Sequence, residues 1–569
     1  MSDRFFPFLF HFVRMQRWTF LGIALLTVIR SWGQGYFPYF LKKLLDFISV
    51  SSPETLDTNS LFVLLMRLML CWIIIEISMR FLSWLLMKGF PLLRVNIRKY
   101  TFSYLLGHSI DYFEQNLSGS LASKMNELPK HCEKILETFL VSILNTFFLT
   151  LFSAFAFYQI GLIYCLLIIG LFISHIGITL LGYKKIHLCN KLQSSTNAHV
   201  NGQFVDCLHN IKMIQGSNSE AFEIRRMEKH LKIEAHRYRQ SLGSFEITNT
   251  ARSCVSILFT ALSFSFLIYD WFHHQVTLGD FSLVTVASFN LTNNLWIMNH
   301  QLIKLFMEAG GAHDALQTIM KEKKSSQVPP IKISKGAISI KHLSFAYPFA
   351  KLLFSDFSLE IPAGQKIGIV GQSGSGKSTL MQLLLGFYTP QKGSILIDDQ
   401  DIEQTSLTSL RQQVNFIGQH FGLLHRSLLA NLTYGTRGQN WDSLMTATER
   451  TECNQWIKQF HRGYLSIVGK ECGNLSGGQI QSLFLTRVLL NSAPLIIIDE
   501  PTSALDETTE KKLIDEVVSF AQDKTLIIAT HHLSSLSRMD RVIVFKEGSI
   551  INDGKPEEIT KFSQNYSFT

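Results

Sequence analysis

The chain has 569 residues, of which 47% are hydrophobic, 12% aromatic and only 17% charged, and its formal net charge is +9. That length calls for at least two domains, and the apolar excess, concentrated before about residue 310, excludes a wholly soluble protein. The positive balance suits Lys and Arg on cytoplasmic membrane loops, so no nucleic-acid partner is expected.

The opening MSDRFFPFLFHFVRMQRW lacks a cleavage site, reads as no signal peptide and runs into an apolar stretch. A membrane-crossing helix needs about 20 mostly apolar residues. Six stretches qualify, near 17–40, 61–89, 137–160, 162–183, 252–272 and 279–306. Long polar segments separate the second from the third and the fourth from the fifth. The first carries Arg94, Arg98, Lys99, Lys124 and Lys130; the second carries Lys184, Lys185, Lys191, Lys212, Arg225, Arg226 and Lys229. Positive residues stay inside, which puts both segments and both termini in the cytoplasm and the tight turn at Gly161 outside. Apolar residues recur at helix spacing in both segments, so the spans are expected to continue as helices into the cytoplasm.

Ionisable and amide groups at membrane depth face a bundle interior or a wet cavity. Glu76 and Arg80 are four residues apart and share a helix face; a structural pair and a place on a substrate path both stay open. The sixth stretch holds Asn290, Asn293, Asn294, Asn299, His300 and Gln301. Residues 290, 293, 294 and 301 fall on one side of a helix, read as the wall of a polar cavity ahead of polar glue between helices. His175 in the fourth stretch reads as packed, neutral and hydrogen-bonded. Residues 321–335, KEKKSSQVPPIKISK, switch to charge, Ser and Pro and read as a linker. The alternation in AISIKHLSFAYP then starts a soluble domain at 336.

IGIVGQSGSGKSTL joins an apolar strand, a glycine loop and a helix start. It fits the G-x-x-x-x-G-K-S phosphate loop. Across Gly371, Gln372, Ser373, Gly374, Ser375, Gly376, Lys377, Ser378 and Thr379, backbone N–H groups converge on phosphates at a positive helix end. Lys377 reaches the terminal phosphates of ATP, and Ser378 offers an oxygen to Mg2+. PLIIIDEPTSALD, residues 494–506, is a buried strand delivering two carboxylates. Asp499 is placed to hold Mg2+, and Glu500 to polarise the attacking water.

LSGGQ at 475–479, closely followed by LIIIDEPTSALD, resembles the nucleotide-binding domain of ABC transporters. The resemblance implies further roles. Tyr347 in FAYP would stack on adenine, and Gln419 in NFIGQHFGLL would sense Mg2+ and the membrane domain. Asp506 would close the D-loop, and His531 in IIATHHLSSL would contact the γ-phosphate, with His532 the weaker candidate. Six spans followed by this domain are similar to one half of an exporter-type ABC transporter. The implied architecture is an α-helical membrane domain of six helices over 1–320, the 321–335 linker, and an α/β P-loop ATPase domain over 336–569.

In that family the signature loop of one chain serves the ATP of the other. Ser476, Gly477, Gly478 and Gln479 would therefore close on phosphate held by a partner's Lys377. This explains why one lysine accompanies two glycine loops. A second half-transporter copy is the implied partner, as a homodimer, with a heterodimer open. Membrane lipid and an unidentified substrate are the others. Departures from the pattern are Lys470 where Glu is usual, and Ile480 and Ser482 at positions usually basic. The implied function is ATP-driven export or flipping of a small molecule, lipid or peptide, from a bacterial inner membrane with the ATPase in the cytoplasm. Import on the same architecture and an ATP-gated channel stay open. The eight cysteines form no C-x-x-C pair and read as free thiols.

Overall fold

The computed structural model describes residues 5–50, 57–116, 118–321, 328–348, 350–419, 422–436, 440–468, 475–500, 507–530 and 533–565. The chain divides into two compact units. One comprises Met1–His108 and Asn116–Glu322; the other comprises Ser109–Gln115 and Lys323–Thr569. Seven residues from the first cytoplasmic segment therefore pack with the C-terminal unit.

Among the described residues, the first unit is built of helices. α1 (Phe5–Met15) buries Phe8 and Phe12, whose rings meet Tyr100 edge-on. It turns by 94° into α2 (Arg17–Val50). α3 (Thr58–Leu105) starts under an Asp57 cap, whose side chain accepts from Asn59 N at 3.1 Å. α4 (Ile110–Gln115) belongs to the other unit. α5 (Ser118–Glu137) runs through a six-residue π turn into α6 (Leu144–Tyr158), and α7 (Leu162–His209) follows. Then come α8 (Ile211–Gly216), α9 (Glu220–Phe272) and α10 (Leu278–Ile319). α3 and α7 have 48 residues each and α9 has 53. At 1.5 Å per residue they reach about 70 to 80 Å, far more than a bilayer core of about 30 Å needs. Their polar ends therefore extend into water.

Among the described residues, four helices are long and apolar enough to cross a membrane: α3, the continuous α5–α6, α7 and α9; the bent α1–α2 pair makes a fifth. The sixth expected span lies in α10, a 42-residue helix less apolar than these. Its amides are the reason: on the expected polar face Asn293 is exposed, and Asn290, Asn294 and Gln301 are half-buried. Asn294 Oδ1 accepts from Asn145 at 3.0 Å, and Gln301 Oε1 accepts from Ser142 at 2.5 Å. Asn299 is buried between His175 and Thr179, each at 3.0 Å. Asn294, Asn299 and Gln301 thus also join helices, as polar side chains in helical membrane bundles do. His175 is buried as expected, with Ser256 on its other nitrogen at 3.0 Å. Glu76 and Arg80 approach to 3.8 Å with both side chains exposed.

The second unit contains two sheets. β1 (Ile338–Phe345), β2 (Phe354–Ile361), β4 (Lys392–Ile397) and β5 (Gln400–Asp401) form an antiparallel sheet ordered β2-β1-β4-β5. β3 (Lys366–Gly371), β6 (Val414–Ile417), β7 (Leu495–Asp499), β8 (Thr525–Ala529), β9 (Arg541–Lys546) and β10 (Ser549–Gly554) form the order β10-β9-β3-β8-β7-β6. All are parallel except β10. Helices α11 (Lys377–Leu384), α12 (Leu407–Gln412), α13 (Leu428–Leu432), α14 (Trp441–Arg450), α15 (Cys453–Ile457), α16 (Gly477–Leu489), α17 (Glu507–Phe520) and α18 (Pro556–Asn565) complete it. β7 and β8 are buried at every residue, which explains their unbroken aliphatic sequences. The last residues of the 321–335 segment pack on this unit's core. Ile331 and Ile333 are buried, and their N–H groups donate to Ser409 and Gln413 at 2.8 and 2.9 Å.

Candidate active site

β3 is a central strand, and the chain leaves its C-terminal edge through the glycine loop into α11. That is the switch-point geometry at which parallel sheets hold ligands. Gly374 and Gly376 have φ of +80° and +106°, values that side chains other than hydrogen resist. A Cβ on Gly371 would meet Phe545 O at 2.4 Å. Lys377 is buried; its ammonium donates to Gly371 O at 2.8 Å and Gln372 O at 3.1 Å. Burial holds that ammonium below its ordinary range, against the opposing pull of Glu500 and Asp499. Ser375 Oγ is buried with no partner among the described residues. A lysine folded onto loop carbonyls and an orphaned hydroxyl suit a cradle for phosphate oxygens.

β7 brings the carboxylates alongside. Ser378 Oγ donates to Asp499 Oδ1 at 3.1 Å, so the two oxygens expected to share Mg2+ are already adjacent. Glu500 is the first residue after β7 and takes φ +47°. Its N–H donates to Ala529 O at 2.9 Å, and its carboxylate lies 3.7 Å from Lys377 Nζ. Gln419 Nε2 donates to the same carboxylate. The structure therefore unites Lys377, Ser378, Asp499, Glu500 and Gln419 in one cluster. Asp506, His531 and His532 lie outside the described residues, as do Lys470 and Glu471.

Tyr347 stands at the far side of the loop, its hydroxyl 3.0 Å from Thr379 Oγ1. Its ring meets the Tyr388 ring at 5.2 Å and 84°. Tyr388 donates to Glu114 of α4 at 2.7 Å. Neither Tyr388 nor Glu114 was singled out from sequence. The only available cue was the aromatic pair in GFYTP, which looks like ordinary core.

The signature loop forms a helix start. Ser476 caps α16: its Oγ accepts from Gln479 N at 3.2 Å, and Gln479 Oε1 accepts from Ser476 N at 3.0 Å. Ser476 and Gly477 are exposed. A cavity of about 170 Å³ lies between this first turn, Gln419 and Glu500. Ser482 takes the place of the usual basic residue as a buried hydroxyl, 3.3 Å from both Trp456 Nε1 and Cys453 Sγ. Ile480 packs against the same core. Nearby, a groove of about 390 Å³ is lined by Phe387, Arg411, Phe416, Tyr434, Phe484 and Arg487.

Phosphate loop, carboxylate pair and exposed signature turn thus occur on one α/β unit preceded by a helical membrane unit. The family profile described as ABC transporter matches residues 354–503, and that of the ABC transporter transmembrane region matches 20–295. The chain belongs to the ABC transporter family. This ABC transporter chain is 28% identical, over 97% of its length and 91% of the relative's, to an uncharacterized ABC transporter ATP-binding protein of Haemophilus influenzae. It is 29% identical to the pediocin PA-1 transport/processing ATP-binding protein of Pediococcus acidilactici, with 82% of this chain aligned. It is also 29% identical to a leukotoxin translocation ATP-binding protein of Mannheimia haemolytica, again with 82% aligned. The transporter chain spans 65% and 66% of those two proteins. A bacterial Atm1-family ABC exporter with ATP bound shares the fold, with a TM-score of 0.86 at 21% identity, covering 96% of this chain and 97% of that one. The transporter is an integral membrane protein with a cytoplasmic ATPase domain, and it couples ATP hydrolysis to transport.

Proposed function

We propose that two copies of this chain form an exporter in which each ATP is held between the phosphate loop of one copy and the signature turn of the other. The supporting observation is the α16 start: a capped, exposed Ser476–Gly477 turn on the same unit as the cluster of Lys377, Ser378, Asp499 and Glu500. Helix starts favour anions. Pulling two such turns onto two sets of phosphates favours the closed pair by the difference in affinity between its open and closed states. Two-fold symmetry makes both sites equivalent.

Within each site Lys377 and the loop amides bind the phosphates, and Tyr347 orients the base. Glu500, held by Gln419 and Lys377, takes a proton from the attacking water. His531 and Asp506 are assigned the γ-phosphate contact and the D-loop by family resemblance. Mg2+, held by Ser378 and Asp499 with Gln419 nearby, would neutralise developing charge on the phosphates. Movement reaches the membrane through α4 in the same chain. α8 exposes Ile211 and Met213 and docks on the partner copy, in the groove beside Arg411 and Arg487. The cargo is amphipathic, and peptides are the first class to test, since two relatives are named for pediocin and leukotoxin.

Inverted vesicles carrying the purified transporter test the whole reading. ATP-dependent uptake of a labelled peptide is the expected result. ATP-independent conductance, or release in place of uptake, would overturn export.

A further inference from the structure

Tyr388 links two parts of the ATPase unit that the mechanism has treated separately. On one side its ring packs edge-to-face on Tyr347, 5.2 Å away at 84°, and Tyr347 in turn reaches Thr379, the residue after Ser378. On the other side its hydroxyl donates to Glu114 of α4 at 2.7 Å. Phe345 meets both rings, at 5.1 Å to Tyr347 and 5.6 Å to Tyr388. Such T-shaped clusters resist rotation of one ring without the next.

We propose that Tyr388 is a positioning residue that ties the base-stacking ring of Tyr347 to the α4 carboxylate of Glu114, so that seating a nucleotide on Tyr347 fixes α4. The inference rests on the exporter reading and names a residue through which α4 responds. The link has a fixed polarity. Burial, then the hydrogen bond and charge of Glu114, hold the Tyr388 phenol above its ordinary range. It therefore stays protonated and keeps donating at neutral pH. Tyr388 is 7% exposed, so water does not readily replace Glu114 as its acceptor. Asp111, on the same face of α4, adds to the negative field on both tyrosines. The donor and acceptor are thus complementary without a cation.

The test is hydrogen exchange of the peptide spanning α4, with and without ATP, on the full-length chain in lipid nanodiscs with Glu500→Gln to stop turnover. ATP is expected to slow exchange in α4. Tyr388→Phe, which keeps the ring, should shrink that ATP-dependent slowing by about tenfold, the value of one hydrogen bond to a charged acceptor. Glu114→Leu should do the same, and Tyr388→Phe with Glu114→Leu should do no more than either alone. Glu114→Gln keeps an acceptor oxygen and should restore the response. A role in packing alone would leave the ATP-dependent difference unchanged in Tyr388→Phe, and that result overturns the proposal. If ATP fails to slow α4 exchange in the Glu500→Gln chain with Tyr388 intact, the proposal falls too. Absence of ATP-dependent peptide uptake in vesicles carrying the chain with Glu500 intact, alongside an intact α4 response, would instead count against the exporter reading alone.

Discussion

Glu500 answers to two neighbours at once: its carboxylate lies 3.7 Å from Lys377 Nζ and accepts from Gln419 Nε2. A side chain held from both sides is oriented before any water arrives. The left-handed φ of +47° at Glu500 adds local strain that its Ala529 hydrogen bond helps to sustain.

Glu500→Gln removes the proton acceptor but keeps the shape. ATP hydrolysis should fall by about 10² or more, while ATP binding persists. Phosphate release and equilibrium binding of labelled ATP on the same preparation check this. Near-normal release would take Glu500 out of its role.

Ser476→Arg places a long cation where the partner's phosphates would arrive. Turnover should vanish with ATP binding retained, because Lys377 and its loop belong to another part of the chain. Ser476→Ala is the control for the lost cap, costing about 1 kcal/mol locally. Loss of ATP binding in Ser476→Arg would show that the signature turn serves its own chain.

Much of this was legible in sequence because glycine spacing and strand hydrophobicity are local properties. GQSGSGKST required a strand before it and a helix after it, and β3 and α11 supply both. LIIID required burial, and β7 is buried throughout. The amides of α10 were harder to read. Helix spacing placed Asn294 and Gln301 on one face, but their partners Asn145 and Ser142 lie on the α5–α6 segment, more than a hundred residues away. Arg252, buried in α9 and donating to Thr179 and Asn249 at 3.0 Å each, went unread for the same reason. The Tyr388–Glu114 bond spans 274 residues, so no local pattern announces it.

The buried network in the membrane unit makes a stability prediction. Thr179 accepts from Arg252 and bonds Asn299, so Thr179→Val strips a partner from both. Leaving such groups unsatisfied should cost about 1–3 kcal/mol. Thr260→Val is the comparison, since that hydroxyl donates within its own helix to Ser256 O. Thermal unfolding in detergent should show the larger drop for Thr179→Val; equal drops would mean that water or lipid headgroups satisfy Arg252.

Within the glycine loop, Gly371→Ala and Gly374→Ala should differ. The first drives a Cβ into Phe545 O at 2.4 Å, backbone that cannot swing away, while the second faces open space at φ +80°. Gly371→Ala should lower the melting temperature of the ATPase domain markedly. Gly374→Ala should cost about 1 kcal/mol of backbone strain and leave the fold intact. Calorimetry of both variants decides, and the reverse order would contradict the assigned loop geometry.

The most direct test of shared sites is subunit mixing. Lys377→Met chains and Ser476→Arg chains are each expected to be inactive alone. If two copies clasp ATP between them, a mixed pair contains one site with both lesions and one with neither. Co-assembled chains should then hydrolyse ATP at a rate neither variant shows by itself. Strictly no recovery in verified mixed pairs would contradict the account and return each site to a single chain.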